Sequence, residues 1–336
     1  MTKISFPGLG IDEFEVNPIA ISIGNLEIRW YGIIICIGML LAVAYVMFRA
    51  KQRNISIDDV IDIALVIIPC GIVGARLYYV IMEFDRYLYT DGDFWKNLGQ
   101  TLYNIIAVWE GGLAIYGGII AGGIALVCVA KSKKLNTFTV LDMVAPAVMI
   151  GQILGRWGNF FNGEAHGGET DIFCRMGLWE KGEQIFVHPT FLYESLWNLV
   201  GFAIANVLYR KKKFEGEIFF FYIAWYGFGR MLIEQLRTDS LMVGVFRISQ
   251  VVGFACFIVG TACLIVFANR AKAEKEAQTV EYSSVYARLR KAKAEESEEK
   301  TDKELMEEAR EDEILSRLIK KNDPADSDDN AVDDEE

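Results

Sequence analysis

A cluster of polar residues closes an otherwise apolar segment in the middle of the chain. It contains Arg156, Asn159, Asn162 and Glu164, within Gly155-Arg-Trp-Gly-Asn-Phe-Phe-Asn-Gly-Glu-Ala-His-Gly167. Ionisable side chains are costly at membrane depth, and there they usually face a protein interior or a wet cavity. A guanidinium is always charged and can bind two oxygens at once, so Arg156 suits a phosphate group. A purely structural pair between an arginine and a glutamate, closing a helix end, is the alternative.

A second group of polar residues lies in a later apolar segment. Tyr226, Arg230, Glu234 and Arg237 are spaced by four, four and three residues, which places them on one face of a helix. We expect this face to meet protein or water, with Glu234 holding Arg230 while Arg230 binds an anion. A ladder of salt bridges between helices is the structural alternative.

Two further motifs carry candidate residues. The stretch His188-Pro-Thr-Phe-Leu-Tyr-Glu194 predicts a helix start, because proline suits a first helical turn, and it places His188 at the membrane interface. A capping or hydrogen-bonded structural role for His188 is the alternative. The stretch Gly111-Gly-Leu-Ala-Ile-Tyr-Gly-Gly118 has paired glycines, which permit close helix packing or a backbone break beside a cavity. Its Tyr116 is a good hydrogen-bond donor but a poor base, because an unperturbed phenol has a pKa near 10.

Weaker features lie elsewhere. Tyr31 opens the first apolar segment, where an ordinary interfacial aromatic residue is the alternative. Arg76, Tyr79 and Glu83 share a face of the second segment by helical spacing. Asp142 lies near the start of the fourth segment, at the end opposite to the 155–167 motif, and we interpret it as structural.

The elements that must position these residues are apolar blocks of about 20 residues, the length that crosses the hydrocarbon of a bilayer. The chain is 52% hydrophobic with a mean hydropathy of +0.24. The pattern predicts an all-α integral membrane protein with about seven transmembrane helices. We place them at residues 30–48, 60–82, 108–130, 139–161, 190–209, 216–236 and 247–268.

The distribution of lysine and arginine predicts the orientation. These residues cluster after the first, third, fifth and seventh predicted helices, which lie on one side of the membrane if there are seven spans. Short loops rich in these bases are cytoplasmic. We therefore expect the N-terminus outside, the C-terminus in the cytoplasm, and the motifs near the outer leaflet.

The acidic charge of the chain is confined to its end. Of a net charge of -11, residues 271–336 contribute 22 acidic and 12 basic side chains, so the body is nearly neutral and shows no charge pattern for nucleic acid. We divide the chain into a membrane domain, residues 1–270, and an acidic cytoplasmic tail, residues 271–336. Composition predicts helix over 284–321 and disorder over 322–336. The chain has only two histidines, and its cysteines do not show the spacing of a metal site, so the sequence predicts no bound metal.

Together the motifs resemble those of the bacterial prolipoprotein diacylglyceryl transferases. Residues 155–167 match the family pattern Gly-Arg-x-Gly-Asn-Phe-x-Asn-x-Glu-x-x-Gly at each fixed position. Residues 226–237 and 188–194 are similar to its Tyr-Gly-x-x-Arg-x-x-x-Glu-x-x-Arg and His-Pro-x-x-Leu-Tyr-Glu. Tyr116 departs from the family, which often has histidine at that position. The resemblance covers about residues 15–268.

The resemblance implies a reaction in the bacterial plasma membrane without a cofactor. The diacylglyceryl group of phosphatidylglycerol passes to the lipobox cysteine thiol of a prolipoprotein, a thioether forms, and glycerol phosphate leaves. Charge then develops on a phosphate, so Arg156 and Arg230 are implied as catalytic cations. The implied substrate-binding residues are Arg156, Asn159, Asn162, Tyr31, His188, Tyr226 and Glu234. The base that takes the thiol proton stays open among Tyr116, Glu164, His188 and water.

Two other classes of protein fit part of the pattern. A lipid transporter would also place arginines in a membrane cavity, but it predicts inverted internal repeats, and none is visible in the sequence. A structural scaffold has no need of paired arginines and amides at depth. Movement of labelled phosphatidylglycerol between leaflets without release of glycerol phosphate would favour the transporter.

Overall fold

The structure is a computed structural model that describes residues 2–24, 26–87, 94–180, 183–297 and 302–321. The chain forms two compact units, residues 1–268 and residues 269–336. The first unit carries every motif singled out above, so it positions the candidate site.

Helices dominate the first unit and confirm the all-α membrane fold. Among the described residues, six helices are long and apolar enough to cross a membrane. They are α1 (Trp30–Lys51), α2 (Ile57–Met82), α4 (Ile115–Ser132), α5 (Thr137–Asn162), α6 (Thr190–Arg210) and α8 (Ile248–Ser297). The predicted span at 216–236 corresponds to α7 (Glu217–Ile233), a 17-residue helix that a 3-10 turn continues over Glu234–Leu236.

The region before α4 differs from the prediction. The predicted span began at residue 108, but α4 begins at Ile115, because Gly111 and Gly112 adopt positive φ angles of 92° and 68° that break the helix. The predicted loop preceding that span contains an amphipathic helix, α3 (Phe94–Ile106). Both alternatives are therefore observed in this motif: the backbone breaks at Gly111 and Gly112, and Gly117 packs closely on α2.

Successive membrane helices run in opposite directions, so the bundle has two faces. We name the one that holds the C-terminal end of α5 the Asn162 face, and the other the Asp142 face. On the Asn162 face, the ring of Tyr31 at the start of α1 packs on Gly158 near the end of α5. On the Asp142 face, Lys133 after α4 pairs with Asp59 at the start of α2, at 2.6 Å.

Glycine lets α2 and α4 approach closely. A Cβ on Gly74 would lie 2.7 Å from the carbonyl oxygen of Gly117, nearer than real Cβ atoms come to such an atom. Beside this contact, Arg76 donates to the carbonyl oxygens of Asn104, Ile105 and Gly112 at 2.6, 3.0 and 3.0 Å. It also donates to the carbonyl of Gly111. Arg76 therefore joins the end of α3 and the glycine pair before α4 to α2.

Small antiparallel sheets cover part of the Asn162 face. Strands β1 (Thr2–Phe6), β2 (Ile11–Val16), β5 (Met176–Glu180) and β6 (Glu183–Val187) form a four-stranded sheet in the order β2-β1-β5-β6. Its apolar side buries Ile4 and Leu178 against Phe160 of α5 and Phe191 of α6. The pairs β3 (Ile19–Ile23) with β4 (Leu26–Arg29), and β7 (Met242–Val243) with β8 (Phe246–Arg247), form separate hairpins. The sheet thus fixes the ends of the two helices that carry the motifs.

Asp142 organises the opposite face, as its structural interpretation predicts. It is fully buried, and its carboxylate accepts hydrogen bonds from the backbone N–H groups of Gly216 and Phe219 at 2.8 and 3.0 Å. It also pairs with Lys212 at 2.9 Å. The carboxylate therefore caps the N-terminus of α7, where the helix dipole favours negative charge.

We expect Asp142→Asn to lower the free energy of unfolding by about 3 kcal/mol, because it leaves the buried Lys212 without its full counter-charge. The loss is measured by unfolding the detergent-solubilised protein in sodium dodecyl sulfate. Asp59→Asn is the matched control, because its pair with Lys133 is partly exposed and such pairs contribute little. An equal loss in both variants would contradict the capping role.

The second unit is helical where it is described. Helix α8 continues to Ser297, and α9 spans Asp302–Lys321. Residues 322–336, for which composition predicts disorder, lie outside the described residues.

Candidate active site

Three arginines converge on one buried carboxylate at the Asn162 face. Glu194 Oε1 accepts from Arg230 Nη1 and from Arg237 Nη1, both at 3.1 Å. Its Oε2 lies 2.5 Å from Arg156 Nη2. Glu194 is 5% exposed, so the three guanidinium groups share a counter-ion that water scarcely reaches.

Three helices bring these groups together. Arg156 lies in the last two turns of α5, Glu194 in the first two turns of α6, and Arg230 in the last turn of α7. Arg237 follows the 3-10 turn that ends α7. The side chains of Arg237 and Arg230 are 9% and 14% exposed, and that of Arg156 is 24% exposed. Arg156 is therefore the guanidinium of the three that is most open to a ligand.

Two further carboxylates fix the arginines. Arg230 Nη2 pairs with Glu234 Oε2 at 2.6 Å, the contact that the four-residue spacing predicts. Arg237 forms a two-point pair with Asp239, with Nε to Oδ1 at 2.9 Å and Nη2 to Oδ2 at 2.7 Å. Such two-point pairing holds a guanidinium in one orientation. The arginines are thus oriented before any ligand arrives.

The pair between Arg237 and Asp239 keeps its charge at neutral pH. Burial raises the pKa of Asp239, but the hydrogen bond from Arg237 and the charges of Arg237 and Arg230 together lower it by more, so the net pKa lies below the ordinary value. Burial lowers the pKa of Arg237, whereas Asp239 and Glu194 raise it, and the net pKa lies above its ordinary value. This pair therefore does not titrate near pH 7.

A chain of amides leads from Arg156 to the surface. Arg156 Nη1 donates to Asn159 Oδ1 at 3.2 Å, and Asn159 Nδ2 donates to Glu164 Oε1 at 3.1 Å. Asn162 Nδ2 donates to the same oxygen at 3.1 Å. Glu164 is exposed, and Oδ1 of Asn162 is buried without a hydrogen-bond partner among the described residues. The arrangement offers a carboxylate and a free acceptor next to a cation.

The end of α5 is shaped for this arrangement. The helix ends at Asn162, and Gly163 caps it with a positive φ of 67°, as the Asn-Gly pair predicts. The following loop is tied by backbone hydrogen bonds between Gly167 and His188 at 2.9 Å and between Gly168 and Leu236 at 2.9 Å. Three separate parts of the chain are thereby held together around the arginines.

Two tyrosines extend the cluster towards α4 and α8. Tyr226, one turn before Arg230, interacts electrostatically with Arg230, Glu194, Arg156 and Tyr116. The Tyr116 hydroxyl lies 3.4 Å from Oγ of Ser249 at the start of α8. Tyr116 therefore interacts electrostatically with Tyr226, but none of its described hydrogen bonds reaches the three arginines.

Such an arrangement suits an anionic ligand. Three fixed guanidinium groups in a poorly solvated site can stabilise negative charge without reorganising. The acceptor oxygen of Asn162 and the Glu164 carboxylate can bind hydroxyl or N–H donors beside that charge. A phosphate that carries a hydroxylated headgroup matches both requirements.

Comparisons with known proteins agree with this chemistry. Residues 18–266 match the family described as prolipoprotein diacylglyceryl transferase. The chain belongs to this family. A phosphatidylglycerol–prolipoprotein diacylglyceryl transferase of Streptococcus pneumoniae serotype 4 is 48% identical over 267 residues, which cover 77% of this chain and 96% of the relative. One from serotype 19F has the same identity and coverage.

The family match includes the entire arginine cluster. It ends at residue 266, so residues 267–336 lie outside it. The strands β1 and β2 also precede the matched residues.

One predicted site residue, His188, does not contact the arginine cluster in the described structure. His188 Nδ1 lies 3.4 Å from the hydroxyl of Tyr193, which in turn lies 3.5 Å from Sγ of Cys174. Among the described contacts, none joins the His188 ring to the three arginines. Its backbone instead ties the loop at Gly167, in keeping with the structural alternative.

Tyr31 contributes by packing. A Cβ on Gly158 would lie 2.6 Å from Cδ2 of the Tyr31 ring, so the glycine makes room for the tyrosine within one turn of Arg156 and Asn159. Gly155 sits more loosely, since its Cβ would lie 3.6 Å from Ile35.

We expect Gly158→Ala to lower the free energy of unfolding by about 1 kcal/mol, the low end for an overpacked contact, because the partly exposed Tyr31 ring can move aside. Gly155→Ala is the matched control and should be neutral or slightly stabilising, since alanine favours helix. Thermal unfolding in detergent measures both. A Gly158 variant as stable as the Gly155 variant would contradict the packing.

Glu194 and Arg237 are the site residues that sequence reasoning missed. Both lie in quoted motifs, but neither was assigned a role. The available signal was the position of Glu194 one turn inside an apolar helix, where an acid needs a partner. Which partner it has could not be read from spacing within one helix.

Proposed function

We propose that the chain transfers the diacylglyceryl group of phosphatidylglycerol to the lipobox cysteine thiol of a prolipoprotein. The curated relatives are named for phosphatidylglycerol and prolipoprotein. The observation that carries the proposal for this chain is the convergence of Arg156, Arg230 and Arg237 on Glu194 in a membrane bundle. A site of this kind suits a reaction whose leaving group is a phosphate.

The proposed reaction is a displacement at carbon. The cysteine sulfur attacks the glyceryl carbon that bears the phosphate ester, a C–S bond forms, and the C–O bond breaks. The electron pair of that bond stays on the phosphate oxygen, and the thiol proton balances the charge of the released glycerol phosphate. The nucleophile comes from the substrate, so the enzyme supplies position, charge and a route for the proton.

Arg156 and Arg230 act as the catalytic cations. Arg156 is the more exposed of the two, so it contacts the phosphate oxygens. Arg230, held between Glu194 and Glu234, supplies fixed positive charge as the C–O bond breaks. Arg237 keeps Glu194 in place.

The amides position the headgroup. The free Oδ1 of Asn162 accepts from a glycerol hydroxyl, and Asn159 joins that group to Arg156. Tyr226 and Glu234 support Arg230 from behind, and Tyr31 walls the site at Gly158. His188 acts at the rim by holding the loop that carries Glu164.

Glu164 takes the thiol proton. It is an exposed carboxylate with no arginine or lysine nitrogen within 4 Å in the described chain, and two amides orient one of its oxygens. Tyr116 orients substrate instead of taking the proton, because a phenol is a weaker base.

We expect Glu164→Gln to lower kcat by about 100-fold, at the low end of what a positioned base contributes. Tyr116→Phe, which also removes one ionisable group, should lower kcat by a much smaller factor. Rates are measured as thioether formation on a lipobox peptide across pH 6 to 9. A larger loss in Tyr116→Phe would transfer the role of base to the tyrosine.

The site opens towards the outer leaflet. This placement rests on the lysine and arginine clusters, which follow α1, α4 and α6 at the Asp142 face. The Asn162 face then lies outside, where precursors that have crossed the membrane present their cysteine. Both substrates have hydrophobic segments that lie in the bilayer, so they enter laterally between helices.

The decisive experiment uses purified full-length protein, phosphatidylglycerol and a lipobox peptide, with the peptide weighed by mass spectrometry. A diacylglyceryl mass gain is expected with the native peptide and not with a Cys→Ser peptide. Release of glycerol phosphate should match the gain. A folded protein that yields no gain, but moves labelled phosphatidylglycerol between leaflets, would replace the proposal with lipid transport.

A further inference from the structure

A polar cavity of about 310 Å³ lies on the Asp142 face, far from the candidate active site. It is formed by the C-terminal ends of α1 and α6 and the turn after α1. Arg49 lies roughly 27 Å along α1 from Tyr31, at 1.5 Å per residue, so the cavity is at the other side of the membrane body. The residues that line it are Phe48, Arg49, Gln52, Arg53, Asn206, Tyr209 and Arg210.

Arg49 is buried in this cavity among neutral partners. It is 5% exposed, and its guanidinium donates to the hydroxyl of Tyr45 at 2.8 Å, to Gln52 Oε1 at 2.9 Å and to Asn206 Oδ1. The guanidinium carbon lies 4.1 Å from the centroid of the Tyr209 ring. In the described part of the chain, no carboxylate oxygen lies within 4 Å of it. A buried charge without a counter-ion is costly, so the cavity is built for an anion.

The neighbouring arginines add positive charge to the cavity. Arg210 is exposed and also has no carboxylate within 4 Å among the described residues, while Arg53 has only Glu215, at 3.6 Å. The hydroxyl of the buried Tyr209 has no hydrogen-bond partner in the described structure. Three guanidinium groups therefore line one cavity, beside a buried tyrosine whose hydroxyl has no partner in the described structure.

We propose that this cavity, the Arg49 pocket, binds the phosphate group of an anionic phospholipid. Arginine forks match phosphate oxygens, and the cavity lies at helix ends, where lipid headgroups sit. Phe48 in its wall is 57% exposed and offers an acyl chain an apolar surface directly beside the charges. A soluble phosphate would gain nothing from that surface.

The test compares thermal unfolding of the full chain in uncharged detergent with added phosphatidic acid, phosphatidylcholine or inorganic phosphate. The double variant Arg53→Gln/Arg210→Gln removes two charges of the pocket and leaves Arg49 to hold α1 and α6 together. Lys51→Gln/Lys131→Gln is the matched control, because it removes two exposed charges from the same face outside the pocket.

We expect phosphatidic acid to raise the unfolding midpoint of the wild type and of the control by several degrees. The pocket variant should lose at least half of that shift, and phosphatidylcholine should produce none. An equal loss in the control would overturn the proposal, because it would show general attraction to a basic surface. A full shift with inorganic phosphate alone would overturn the assignment to a lipid. Any shift in the unfolding midpoint caused by phosphatidic acid at the active site is the same in all variants, because none of them changes that site.

Discussion

Arg230→Ala is expected to lower kcat and kcat/KM for diacylglyceryl transfer together, by about 1,000-fold, which is the upper end for the loss of one preorganised donor. Arg230 is anchored on one side by Glu194 and on the other by Glu234. Its charge is therefore fixed before the C–O bond begins to break. A contact that strengthens only as phosphate charge develops affects both constants equally.

One further variant separates the charge of Arg230 from its position, and a second serves as the control. Arg230→Lys keeps the charge but cannot bridge both glutamates, so it should recover only a small part of the rate. Arg86→Ala is the matched control, because it removes an exposed arginine whose ion pair in the described structure is with the nearby Glu83. It should keep full activity. Initial rates over a range of phosphatidylglycerol concentrations in mixed micelles provide kcat and KM.

Two outcomes would contradict this role. A raised KM with unchanged kcat would show that Arg230 only binds the ground state of the lipid. A variant with a lowered unfolding midpoint but the wild-type kcat would indicate a purely structural role, because the loss of Arg230 leaves the buried Glu234 without its partner.

The membrane helices could be predicted because their signal is local. A block of about 20 apolar residues specifies its own hydrogen bonds, and the ends follow from local chemistry such as the cap at Gly163. The prediction was wrong at residue 108 because hydropathy does not register the positive φ angles of Gly111 and Gly112. Helix α3 was missed because its apolar residues occupy only one face.

The sheet could not be predicted for the opposite reason. Its central pairing joins Ile4 of β1 to Leu178 of β5, and these residues are distant in the chain. Both β1 and β5 are short, and neither has a turn or repeat in its sequence that identifies the strand it pairs with. Only the packed ends of α5 and α6 show why both strands meet there.

The candidate site could be predicted from the sequence only in part. Spacing within one helix predicts the pair between Arg230 and Glu234, and the structure confirms it. Spacing is silent on contacts between helices, so it could not show that Arg156 and Arg230 share Glu194. The catalytic roles of Arg156, Glu164 and Tyr116 stay predictions until their variants are measured.

Glu194→Gln is expected to lower the free energy of unfolding by about 3 to 5 kcal/mol, as happens when one member of a buried ion pair is removed. Glutamine keeps the shape and one acceptor oxygen, but it leaves Arg156, Arg230 and Arg237 close together without their shared charge. Transfer activity should fall below detection, since both catalytic arginines lose their anchor. Glu169→Gln, an exposed change on the same face, is the control and should have little effect on either property.

A second change tests whether repulsion among the arginines causes that loss. Arg237→Gln restores the charge balance that Glu194→Gln disturbs, and it removes the arginine that is least exposed. The double variant should therefore unfold at a higher denaturant concentration than Glu194→Gln alone, although each single change is destabilising. Additive losses would mean that Glu194 acts through its hydrogen bonds and not through its charge. In the double variant, Arg156 and Arg230 would still lack their common anchor. We therefore expect stability to recover without activity. That result would assign Glu194 the role of positioning both catalytic cations.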